Sequence, residues 1–159
     1  TKLYSSNQYL PTLSLFLRND FECSGRWGIP KLKRQILQTD NLSVIACSDT
    51  KNNENEERKH YGVHFFVDDY RFESIYRNPE KSLSRYSQYA FLFTPDFSLY
   101  AEMPMYLAMN NVAKNRYCGA YWQSKGLTVI PTVSWSTAQS FDFCFDGIER
   151  GSVVAIEIG

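Results

Sequence analysis

Four stretches of this chain are almost uninterrupted apolar runs built from β-forming side chains. They are residues 61–67 (YGVHFFV), 90–94 (AFLFT), 127–134 (LTVIPTVS) and 152–158 (SVVAIEI). A strand with one wet face alternates apolar and polar residues. A run that is apolar throughout reads instead as a strand covered on both faces, the usual state of strands in a parallel sheet. A shorter β-rich run at 41–47 (NLSVIAC) precedes them.

Helical patterns separate these runs. Residues 72–76 suit one short helix, and Asn78-Pro79-Glu80 restarts a second, with Asn as N-cap and Pro at the first helical position. Between the runs at 90–94 and 127–134 lies the clearest helix, residues 104–125. Pro104 opens it, Gly126 ends it, and Leu107, Ala108, Val112 and Tyr121 share one apolar face. A last helix is expected at 137–146. Parallel strands need such crossovers, so the order β-β-α-β-α-β-α-β predicts an α/β fold. Its core is a mostly parallel sheet of about five strands, open or partial-barrel-like.

Outside that core, residues 1–40 read as an irregular N-terminal arm. Leu13, Leu15 and Leu17 alternate there, and the basic run Lys31-Leu32-Lys33-Arg34 suits the start of a short helix. Residues 49–59 (DTKNNENEERK) lack apolar side chains and are expected to form an exposed, flexible loop. The 159 residues suit a single α/β domain, 1–159.

Composition narrows the function classes. Lys plus Arg and Asp plus Glu both number 17, so no bulk basic excess supports phosphate-driven binding. The absence of a run of about 18 apolar residues argues against a membrane partner. Cys23, Cys47, Cys118 and Cys144 have no knuckle spacing and read as reduced, buried thiols. Thr1 is not Met and no signal-peptide pattern follows it, so the start reads as a trimmed or processed end and a cytoplasmic location is expected.

Ligands of parallel sheets bind outside the carboxyl ends of the strands. Here those ends lead into Asp68-Asp69-Tyr70-Arg71, into Asp96-Phe97-Ser98-Leu99-Tyr100, and into Trp135-Ser136, while the last run carries Glu157. Asp68, Asp69 and Asp96 are therefore candidate catalytic residues. Adjacent aspartates in an extended segment point opposite ways, so one of the first two should join Asp96. Asp69 and Asp96 could hold Mg²⁺ or Mn²⁺. Tyr70, Arg71, Ser98, Tyr100, Arg116 and Trp135 are candidate substrate-binding residues. Each aspartate equally suits a turn or a helix cap, and Arg71 an ordinary ion pair. His60 and His64 read as a loop-edge and a structural histidine, and no metal-binding or phosphate-loop motif occurs. Lys81 and Arg85 lie one turn apart on a helix face, and phosphate binding becomes plausible if they reach the aspartate rim.

Several long stretches carry a family resemblance. Trp27 to Pro30, GVHFFVDDYRFE from Gly62, TPDFSLYAEMP from Thr94, NRYCGAYWQSKGLTVIPTVSW from Asn115, and residues 141–148 resemble a bacterial and phage family catalogued as a domain of unknown function (DUF4417). The resemblance implies phage and mobile-element cargo, with no activity to carry over. Such proteins usually continue with another helix and strand, which would leave a sheet edge open here. Two functions are expected. One is an enzyme acting on nucleic acid or a nucleotide, a divalent-metal nuclease or phosphodiesterase using the rim aspartates. The other is a non-catalytic protein that binds and inhibits a host defence nucleoprotein complex, as an anti-CRISPR does.

Overall fold

A computed structural model describes residues 21–38 and 40–158. The expected alternation at Leu13, Leu15 and Leu17 lies outside them. The elements are β1 (Cys23–Ser24), β2 (Ile29–Pro30), β3 (Ser43–Ala46), β4 (Tyr61–His64), α1 (Glu73–Arg77), α2 (Glu80–Tyr86), β5 (Phe91–Phe93), α3 (Met105–Ser124) and β6 (Val129–Ile130). Strands β3, β4, β5 and β6 form one sheet in chain order, every pair parallel. The fold is α/β, with the helices between strands, as the apolar runs predict.

Packing explains this order. Phe65, just past β4, is the hub of the larger core cluster. Its ring meets Phe72, Tyr86 and Trp122 at centroid distances of 5.7 Å each, linking β4 to the starts and ends of α1, α2 and α3. At Gly62 the β5 ring of Phe91 lies where any side chain would stand, 2.1 Å from an ideal Cβ, so β4 and β5 fit face to face only through glycine. Gly119 serves α3 in the same way, bringing it against Leu32 and Thr94.

Several local expectations are corrected. The 152–158 run makes a single parallel bridge, Thr132 to Ala155, rather than a strand. The Val133 amide donates to the Ala155 carbonyl at 2.9 Å, and the Ala155 amide donates to that of Pro131, also at 2.9 Å. Pro131 has no N–H and interrupts the ladder on which a longer pairing would depend. Val153, Val154 and Ile156 are accordingly exposed. The basic run does not open a helix. The amides of Leu32, Lys33 and Arg34 donate to Gly147, Gln123 and Glu149 instead of to one another.

Part of the arm is a short antiparallel hairpin, β1 with β2, turned through Gly25 and Gly28 at φ of 71° and 67°. The 137–146 helix shrinks to a 3-10 turn, Ala138–Asp142, with Ser140 donating its hydroxyl to the Thr137 carbonyl. Residues 49–59 are exposed for the most part but tied down by two 3-10 turns, Cys47–Asn52 and Glu56–His60. Buried Thr50 donates to the Cys47 carbonyl, and Asn53 donates to the Tyr89 hydroxyl. Short polar side chains can satisfy a turn without any apolar burial.

Helix α3 begins with Pro104 in the capping position rather than inside the helix. It ends as expected at Gly126, whose φ of 84° suits glycine. Ala108, Val112 and Tyr121 are buried on it, whereas Leu107 is exposed. Among the described residues no helix is long and apolar enough to cross a membrane. Cys47, Cys118 and Cys144 are buried thiols, and Cys23 is exposed, against expectation.

Candidate functional site

A buried polar network holds the carboxyl ends of β5 and β6 against α3. The Thr94 hydroxyl donates to Asn115 Oδ1 at 2.8 Å and accepts the Thr132 amide at 2.7 Å. Asn115 Nδ2 donates to the carbonyls of Pro95 and Thr132. Arg116, 1% exposed, sends its guanidinium to the carbonyls of Thr132, Cys144 and Asp146 and to Asn115. Burial lowers the Arg116 pKa to about 10, which leaves it charged at neutral pH. Arg116 is thus placed behind the rim as a brace, not on the surface where a substrate-binding arginine was expected.

In front of this brace lies a cavity of about 440 Å³, lined by Asp96, Ser98, Leu99, Tyr100, Val133, Ser134, Trp135, Ile156 and Glu157. It sits beyond β5 and β6, on the side the parallel sheet leaves open. Asp96 Oδ1 accepts the Ser134 hydroxyl at 2.9 Å. Burial pushes the Asp96 carboxyl up to about 6; the Ser134 bond opposes this, and the negative charges of Glu157 and Asp69 add to it. Asp69 stands behind Ser98, taking its amide at 3.1 Å and its hydroxyl at 2.8 Å. Tyr100 and Trp135 are 60% and 44% exposed, offering ring surface at the mouth.

Four of the expected residues, Asp96, Ser98, Tyr100 and Trp135, therefore share one cavity, and Asp69 adjoins it. Asp68 does not join them. It is exposed, and its carbonyl accepts the Arg71 amide in the turn Asp69–Arg71. Tyr70 is 72% exposed and carries the Arg71 guanidinium over its ring at 5.3 Å. Arg71 itself lines a different hollow. Ser134 and Glu157 complete the lining. Glu157 was visible at the end of an apolar run, while Ser134, the last residue of the run LTVIPTVS, carried no signal of its own. His64 keeps a structural role: its Nδ1 accepts the Phe66 amide, and burial lowers its pKa from 6.5.

Among the described residues no group of three or more His, Cys, Asp or Glu gathers as a protein-built Mg²⁺ or Mn²⁺ cage would need, and both oxygens of Asp69 accept from Ser98. No Lys or Arg among the described residues lines the cavity either. What the arrangement can do is hold a flat polar group against aromatic rings beside a carboxyl that titrates near neutrality.

A family model described as Domain of unknown function (DUF4417) matches residues 21–158. The chain is similar to the Gene 1 protein of Mycobacterium phage L5, 46% identical over 144 residues, which cover 89% of this chain and 61% of that protein. It is also similar to the Gene 1 protein of Mycobacterium phage D29, 44% identical over 142 residues, covering 89% and 52%. The chain thus spans less than two thirds of the length of these curated relatives. No solved structure matches it.

Proposed function

The chain belongs to this phage-associated family, and we propose that it acts on nucleic acid or a nucleotide at the rim cavity, with Asp96 moving the proton. The observation that carries the reading is a carboxyl raised to about 6 inside an aromatic-mouthed cavity. Such a group is balanced between acid and base at working pH, where proton transfer is most effective. Trp135 and Tyr100 supply stacking surface for a base, which every nucleotide presents. The absence of cations from the lining among the described residues favours contact with the base and sugar over the phosphates. In a hydrolytic step the Asp96 carboxylate takes a proton from water as the water oxygen bonds to the reacting centre. The bond to the leaving group breaks, and the proton on Asp96 passes to the leaving group, which restores the carboxylate.

The test is a panel of nucleoside monophosphates and short single-stranded DNA and RNA, each with Mg²⁺, with Mn²⁺ and with chelator. Turnover is expected to fall about 100-fold or more in Asp96→Asn, with substrate binding changed little. Binding itself should weaken in Trp135→Ala. No turnover of any panel member, or full activity in Asp96→Asn, would sink the enzyme reading.

A second reading has its own observation. Trp135, Phe141 and Phe145 form an exposed aromatic strip, with ring centroids 6.3 Å and 5.9 Å apart. Exposed rings of this kind are what protein partners bury. A non-catalytic inhibitor of a host defence complex would use that strip and would be indifferent to Asp96→Asn.

A further inference from the structure

On the other half of the sheet's carboxyl end, a second and smaller hollow of about 170 Å³ has the opposite electrostatic character. Lys51, Arg71, Lys81 and Arg85 all line it, together with Ser74, Asn78 and Ser82, and among the described residues no carboxylate does. The four cations come from three separate elements. Lys51 is in the 3-10 turn after β3, Arg71 in the turn after β4, and Lys81 and Arg85 are one turn apart on α2. Arg71 and Arg85 both act electrostatically on the buried Cys47 thiol at the floor, so the convergence is real in space and not only in sequence.

None of these four cations forms an ion pair among the described residues; the salt bridges there engage Arg26, Lys31, Arg77 and Lys114. Asp49, on the same turn as Lys51, is the one acidic group among the described residues that also acts on Cys47, but it lines a separate hollow with Ile45, Asn53, Asn55 and Tyr61. Arg85 packs over Tyr86 at 4.8 Å and donates from Nη2 to its hydroxyl at 3.3 Å, yet its buried Nε has no hydrogen-bond partner. Like charges gathered in one concavity repel, and a sealed donor without an acceptor costs stability. An oxyanion relieves both costs, because a guanidinium edge takes two oxygens at once.

We propose that this hollow is a phosphate-binding site. Its volume is that of about five or six water molecules, which suits one phosphate group with some hydration and leaves the rest of a ligand outside. A carboxylate would bring one charge to four cations, whereas a phosphate monoester brings close to two with three acceptor oxygens. The site is independent of the rim cavity and of the reaction proposed there.

The experiment follows the Arg85 Nε–H signal by NMR, with parallel calorimetry, while inorganic phosphate or a nucleoside 5′-monophosphate is added to the whole chain. Either ligand is expected to shift that signal saturably. Arg85→Gln, and separately the exposed Lys81→Gln, should weaken binding about tenfold, and added salt should weaken it further. Tighter binding of the nucleotide than of phosphate would mark the site as reading a monoester, and equal binding as reading the phosphate alone. The proposal is overturned if neither ligand binds at millimolar concentration, or if both variants bind as the wild type does.

Discussion

Asp96 shows how one side chain's surroundings become a measurable property. Its carboxyl is raised from 3.8 to about 6, chiefly by burial, with Glu157 and Asp69 adding negative charge. The folded state therefore keeps a proton that the unfolded chain has already released. Where the native state binds more protons, stability falls as pH rises. Asp96 should thus reduce stability as pH climbs from about 4 to about 6, and the cost should stay constant above that. Urea midpoints measured across this window should show a shallower decline for Asp96→Asn than for the wild type. An identical profile would mean that the carboxyl is not buried as described. The candidate aspartates were legible in sequence because each follows a β run. Which of them face the cavity was not. Asp69 and Asp68 are neighbours in the chain, and only the turn that hands Asp69 to Ser98 separates their roles.

At the scale of elements, α3 is the piece that sets the rim. Its apolar periodicity marks it as a core helix, and Gly126 marks its end. Arg116, a candidate substrate-binding residue by sequence, and its neighbour Asn115 are both almost fully buried. Their partners are main-chain carbonyls at 95, 132, 144 and 146, which no side-chain pattern records. Arg116→Met fills similar volume but takes the guanidinium donors from the Cys144 and Asp146 carbonyls, while those of Pro95 and Thr132 keep Asn115. It is expected to destabilise the chain by about 3 kcal/mol, read as a lowered denaturation midpoint. A loss under about 1 kcal/mol would show that the carbonyls find other donors. The short helix expected at 137–146 failed for a related reason. Ser140 is buried and bonds back to Thr137, closing a tight turn that leaves Phe141 and Phe145 half exposed.

Across the molecule, stability should be graded from the middle of the sheet to its far edge. The amides of Leu92 and Thr94 donate to Thr128 and Ile130 within a parallel ladder packed under α3, while that of Ala155 sits in a lone bridge. Hydrogen exchange should therefore be slowest at Leu92 and Thr94 and clearly faster at Ala155. Equal protection would mean that the 152–158 run is a full strand after all. The sheet's carboxyl end also carries two hollows of opposite character, split by the turn Asp69–Arg71, with Asp69 bound to the acidic side and Arg71 lining the basic one. By itself the sequence determined the class of fold, the order of the parallel strands' runs and the end of the sheet where polar groups gather. Those follow from local rules, since a chain must bury its apolar runs and must cross over to make them parallel. Only the tertiary structure decided that Arg116 braces the rim, that Asp69 and Arg71 part company, and that Lys51, Arg71, Lys81 and Arg85 meet. Those outcomes depend on contacts between residues far apart in the chain, whose spacing is set by packing and leaves no period to read.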